Sequence, residues 1–157
     1  MPAQSIHVAQ LMLPFQTVGV GEAHDNPRGR EKVARWIMED WVSDLVVELP
    51  SFADDYTVAS IDKKWPSRFL LSELLTYADR SGVRVQKWDD WHESGVHPAS
   101  EDGMNGRNQG VAESFRAHFG GAMDAHHCVI LFGAKHFRGA FGFEALLPGL
   151  KWADLSK

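Results

Sequence analysis

Strand-like and helix-like patterns alternate four times along this chain of 157 residues, and that alternation limits the fold more than any other feature. Gln16 to Val20 is a short β-branched run ending in glycine, which reads as a buried strand. Val33, Trp36, Ile37 and Trp41 then recur at helical spacing among Glu31, Lys32, Arg35 and Glu39, the pattern of a helix with one face on a sheet. Asp25 or Asn26 can cap this helix, and Pro27 suits its first position. Asp44 to Leu49 reads as a second strand, closed by Pro50, which cannot continue a central ladder. The segment Ser51 to Pro66 has no clear period and is expected to be irregular. Leu70, Leu71, Leu74, Leu75 and Ala78 form a wide apolar stripe that Ser81-Gly82 ends, and Val83 to Trp88 is a third strand. A third helix is expected from about Asn105 to Phe119, burying Val111, Phe115 and Phe119, before the fourth and most apolar strand, His127 to Phe132. The tail reads as a short helical turn near Phe143 to Leu147, followed by an edge strand or coil through Trp152.

Four such alternations predict an α/β fold: a mainly parallel central sheet with helices on both faces, in three layers. The length suits a single α/β domain over residues 1–157, with a core from about residue 16 to 137. Hydrophobic residues at 44% and charged residues at 24% fit a soluble globular chain. A net charge of −5 argues against the broad basic face that a nucleic-acid partner needs. No apolar window approaches the ~20 residues that span a bilayer, and the N-terminal stretch lacks a basic region followed by a long apolar one. The expected location is cytoplasmic, or outside the cell by a route without a conventional signal peptide. The single cysteine, Cys128, excludes an internal disulfide, suits a reducing compartment and reads as a small core residue.

In a parallel sheet, strand ends and the starts of the following helices share one edge, where ligands bind. Glu22 and His24 follow the first strand in Val18 to Pro27, Glu48 ends the second, Asp89 follows the third and His136 follows the fourth. Arg107 is expected in the first turn of the third helix, four residues before Val111 and roughly along its buried stripe. Ionisable groups from separate segments therefore converge on one edge.

Two imidazoles with two or three carboxylates suit a borderline divalent metal such as Mn, Fe, Co or Zn, held by Glu22, His24, Glu48 and His136. A bound ion would acidify a water or polarise a carbonyl, and Arg107 would stabilise an oxyanion. The alternative mechanism is metal-free acid–base work, with His24 or His136 tuned by Glu22 and Glu48.

The sequence resembles the superfamily that includes TIKI and TraB-type proteins, the ChaN haem-uptake proteins and the erythromycin-esterase-like domains. The resemblance rests on G-E-A-H at Gly21 to His24, E-L-P at Glu48 to Pro50, R-N at Arg107 and Asn108 with Ala112 and Phe115 behind, and G-x-x-H at Gly133 to His136. It spans most of Val18 to Phe137 and implies an α/β fold whose polar pocket carries Glu22, His24, Glu48, Arg107 and His136. Asp89, placed at the same edge by the third strand, and Asn108 beside Arg107 are expected to contact a bound cofactor. It also implies metal-dependent hydrolysis of a peptide, amide or ester bond in some members, and haem or iron binding in others. A compact chain of this kind also suits a toxin or effector domain. In that reading a Trp-rich surface with Trp65, Trp88 and Trp91 meets a protein partner, and the pocket can be inactive.

Structural alternatives exist for each residue. Glu22 can stabilise a helix start through the dipole, and His24 can bond backbone at the junction. Glu48, costly in an aliphatic strand unless paired, can form a salt bridge with Arg107 alone. His92 and His97 lie in a polar loop and read as solvated, whereas His126 and His127 precede their strand at the opposite edge and read as structural. Arg28 and Arg30 stand against the dipole of the first helix and are expected to face solvent, with an anionic ligand as the alternative. Gly19-Val20-Gly21 is similar to a dinucleotide-binding turn but lacks the third glycine, and a glutamate stands where phosphate would approach.

Overall fold

The computed structural model describes residues 16–90, 96–123 and 127–157. Five strands form one sheet: β1 (Thr17–Glu22), β2 (Asp44–Val47), β3 (Arg84–Lys87), β4 (Cys128–Gly133) and β5 (Lys151–Asp154). Their order is β3-β2-β4-β1-β5 and every pairing is parallel, so the predicted α/β architecture is the observed one. The helices are α1 (Arg28–Met38), α2 (Asp55–Lys64), α3 (Leu71–Arg80), α4 (Glu101–Phe119) and α5 (Phe143–Leu146), with a 3-10 turn at Ala134–His136 after β4.

Alternation along each strand divides the core into two layers. Val18, Val20, Leu45, Val47, Val129 and Leu131 face one way, with Val33, Trp36 and Ile37 of α1 and Leu71, Leu74 and Ala78 of α3. Val46, Cys128, Ile130 and Phe132 face the other way, with Val111, Ala112 and Phe115 of α4 and Phe143 of α5. Burial pushes the Cys128 thiol well above its ordinary pKa, which leaves it a packing residue.

The glycines of VGVG serve packing. A Cβ at Gly19 would lie 2.3 Å from Phe137 Cε1 and 2.9 Å from Trp152 Cβ. Phe137 and Trp152 stack there, with ring centroids 4.9 Å apart, and both are fully buried. Trp152 belongs to β5, so the core extends through Leu155, beyond the expected limit near residue 137.

Three local expectations are corrected. Ser51 to Pro66 is not irregular throughout: Asp54 caps α2 by accepting the Thr57 N–H at 2.8 Å. Trp41 lies beyond α1, which ends at Met38 before Asp40 turns left-handed at φ 67°. Ser100 caps α4 at Glu101, four residues earlier than expected, so Arg107 stands in the second turn rather than the first. His92, Trp91 and His126 lie outside the described residues.

Candidate active site

Three strand ends supply the centre of the site. β1 and β4 pair in register with Glu22 opposite Gly133, and Val47 of β2 stands opposite Leu131, so Glu48 leaves its strand beside the same end of β4. Glu48 Oε1 accepts the Gly133 N–H at 2.8 Å, which fixes the carboxylate in place. Its Oε2 faces three groups from three other segments: Arg107 Nη2 at 3.3 Å, His136 Nε2 at 3.5 Å and His24 Nε2 at 3.7 Å. Burial pushes the Glu48 carboxyl up, but the His136 and His24 imidazoles and the Gly133 N–H outweigh it and hold the pKa at about 2. Glu48 is therefore a carboxylate at neutral pH and cannot donate a proton there.

His24 sits between two carboxylates, with Nδ1 3.5 Å from Glu22 Oε2 and Nε2 toward Glu48. Its contact with Glu22 is the largest cause of a raised pKa; burial and Arg30 oppose the shift and Glu48 adds to it. With a side chain 25% exposed, His24 is the more accessible of the two imidazoles, since His136 is 4% exposed. The Trp65 ring lies against it at 4.7 Å between centroids.

His136 is oriented from behind. Asn108 Nδ2 donates to the Phe141 carbonyl at 2.9 Å, which leaves Oδ1 to accept from His136 Nδ1 at 2.6 Å. Asn108 acts one layer back from the pocket surface, holding an imidazole. Asp89 has an analogous place: Arg107 donates from Nε and Nη2 to its two oxygens at 2.9 and 2.6 Å. Arg107 also donates from Nη1 to the Pro98 carbonyl at 3.3 Å. The arginine is thus anchored on Asp89 and turned toward Glu48, a structural ion pair inside the same cluster.

The residue missed by sequence reasoning is Arg30. Instead of facing solvent, it is buried, and its Nε donates to Glu22 Oε1 at 3.0 Å while Nη1 donates to the Phe69 carbonyl at 3.2 Å. Its position in the sequence carried the signal, because Arg30, Val33 and Ile37 share one helical face and that face is buried.

Glu22, Glu48 and Asp89 are each matched to a guanidinium. Among the described residues, no group of three or more His, Cys, Asp or Glu side chains is arranged to hold a metal ion. As placed, the two imidazoles stand against carboxylates that are already ion-paired, an arrangement suited to proton transfer and charge stabilisation.

Two cavities meet at the cluster. One, of about 390 Å³, is bounded by Glu22, His24, Glu48, Asp89 and Arg107 together with an apolar wall; the second, of about 350 Å³, shares Glu22, His24, Glu48 and Arg107 and continues to Lys135 and His136. Of the expected partner surface, Trp65 lines the first cavity, while Trp88 packs on Phe115 and Phe119. His97 is exposed and accepts the Ala99 N–H at Nδ1, and His127 lies at the opposite end of β4, as expected for both. Among the described residues no helix is long and apolar enough to cross a membrane.

No family model matches the chain, and no curated protein matches it. The fold is similar to that of two solved structures described as bacterial protein toxins. One has a TM-score of 0.63 at 18% identity, over 95% of this chain and 35% of that one. The other has a TM-score of 0.60 at 15% identity, over 96% of this chain and 35% of that one. The present chain thus spans about a third of the length of each, and the likeness is one of fold.

Proposed function

We propose that the carboxyl-edge site hydrolyses an amide or ester bond by histidine acid–base catalysis without a resident metal, within a toxin-type effector domain. The observation that carries this reading is the setting of His24. Its imidazole lies between Glu22 and Glu48, lines both cavities and is made more basic than a free imidazole by the Glu22 carboxylate at Nδ1. His24 Nε2 takes a proton from water as the water oxygen attacks the carbonyl carbon. Glu22 at Nδ1 and Glu48 stabilise the imidazolium, and Nε2 then returns the proton to the leaving nitrogen or oxygen as its bond to carbon breaks. Arg107 lines both cavities and supplies positive charge to the developing oxyanion. The resemblance of GEAH, ELP, RN and GAKH to the TIKI and erythromycin-esterase-like superfamily supports hydrolysis, and the fold shared with bacterial toxins supports the effector setting.

Product analysis by mass spectrometry tests this. Purified protein incubated with a mixed peptide library and a panel of esters should yield new termini or free acids, and His24→Gln should yield none. A folded wild-type protein that leaves every amide and ester intact would sink the reading.

A further inference from the structure

We infer that the first cavity is a specificity pocket that takes a bulky apolar side chain, aromatic or branched aliphatic, beside the bond that is cut. This rests on the hydrolytic reading of the adjoining cluster. Its wall is Val47, Leu49, Ile61, Trp65, Leu71 and Leu131. Apart from Lys64 on α2, whose ammonium lies over the Trp65 ring, the carboxylates and guanidinium of the lining are already paired: Glu22 with Arg30, and Glu48 and Asp89 with Arg107. A charged substrate side chain entering there would lose its hydration and find no unpaired partner on those groups, whereas an apolar one leaves water for an apolar wall.

The segment α2 builds the outer side. Thr57, Ser60, Ile61 and Lys64 recur at helical spacing and all line the cavity, while Val58 turns away into the core. Thr57 and Ser60 are uncharged, and Lys64 Nζ lies over the Trp65 ring at 4.4 Å from its centroid. The volume of about 390 Å³ falls within the ~300–1,000 Å³ usual for ligand sites, room enough for a whole aromatic side chain. The second cavity shares Glu22, His24, Glu48 and Arg107 with the first, so a peptide crossing from one to the other passes His24 with its apolar side chain in the first.

Two measurements test this. The first compares kcat/KM for peptides that differ only by Gly, Ala, Leu or Phe beside the cleaved bond. We expect Leu and Phe to exceed Gly by about tenfold or more. Ser60→Trp, at an exposed helix position on the cavity rim, should abolish that preference, bringing the Leu and Phe rates to within about twofold of the Gly rate. Equal rates for Gly and Phe, or an undiminished preference in Ser60→Trp, overturn the inference. The second is an NMR titration with N-acetylphenylalanine amide and N-acetylaspartate amide. Only the phenylalanine compound should shift the Trp65 indole and Ile61 methyl signals, and Ser60→Trp should abolish the shift. No shift, or equal shifts with both compounds, overturns the pocket even if nothing is hydrolysed. Hydrolysis without selectivity refutes the pocket alone, and selective binding without hydrolysis refutes the catalytic reading alone.

Discussion

Removing Arg30 should destabilise the protein far more than its place in the first turn of a helix suggests. Its side chain is 1% exposed and that of Glu22 is 4% exposed, with Nε 3.0 Å from Oε1. Arg30→Met leaves the Glu22 carboxylate buried and without its guanidinium, a change that costs about 3–5 kcal/mol when one partner of a buried pair is lost. The bond to the Phe69 carbonyl goes as well, about another 1 kcal/mol. Against this, Arg30 Nη2 is buried without a hydrogen-bond partner, and removing it recovers about 1–3 kcal/mol. The net expectation is a loss of about 3 kcal/mol. In urea denaturation the midpoint should fall by about 1–2 M with the slope unchanged. Arg30→Met with Glu22→Leu replaces the pair by apolar groups and should recover most of that loss, because neither charge is then stranded. A midpoint shift of the single variant below about 0.3 M, or a double variant no more stable than the single, would refute the reasoning.

Glu22→Gln should lower the His24 pKa, because the carboxylate at Nδ1 is the largest cause of its elevation. An NMR titration checks this, and an unchanged His24 midpoint would show that Glu22 does not act on it. Glu48 makes a stabilising contribution that is fully present above its ordinary pKa of 4.5 and is lost as pH falls toward its folded value of about 2. That shift corresponds to about 3 kcal/mol, so Glu48→Gln should flatten the fall in stability across that window, and an acid denaturation curve parallel to wild type would contradict it. Gly19→Ala forces a methyl group against Phe137 and Trp152 and should cost about 1–3 kcal/mol in thermal unfolding. A change below about 0.5 kcal/mol would mean the stacked rings yield easily.

The centre of the sheet was legible because β1, β2 and β4 are short runs rich in Val, Ile and Leu, and parallel topology then sends the residues after each strand to one edge. Glu22, His24, Glu48, Arg107 and His136 meet there, although the sequence pattern did not indicate that Asp89 and Asn108 serve as anchors for Arg107 and His136. Arg30 was misread because its charge was weighed against the helix dipole, whereas its partner stands eight residues back on β1. The helix α2 was hidden by its weak apolar face: Val58 is its buried residue, and Tyr56 is exposed. Its Asp54 and Thr57 cap was nevertheless present as a helix-start signal. β5 lies at the sheet edge beyond β1, where the single large anchor Trp152 gives little periodicity to read.

The central claim is hydrolysis by His24 without a resident metal. Its most direct test is the hydrolysis rate of protein treated with a strong chelator, with bound metal measured on the same sample. We predict full activity at negligible metal content, and loss of activity in His24→Gln. A rate that falls with metal content and returns when Mn or Zn is added would contradict the account.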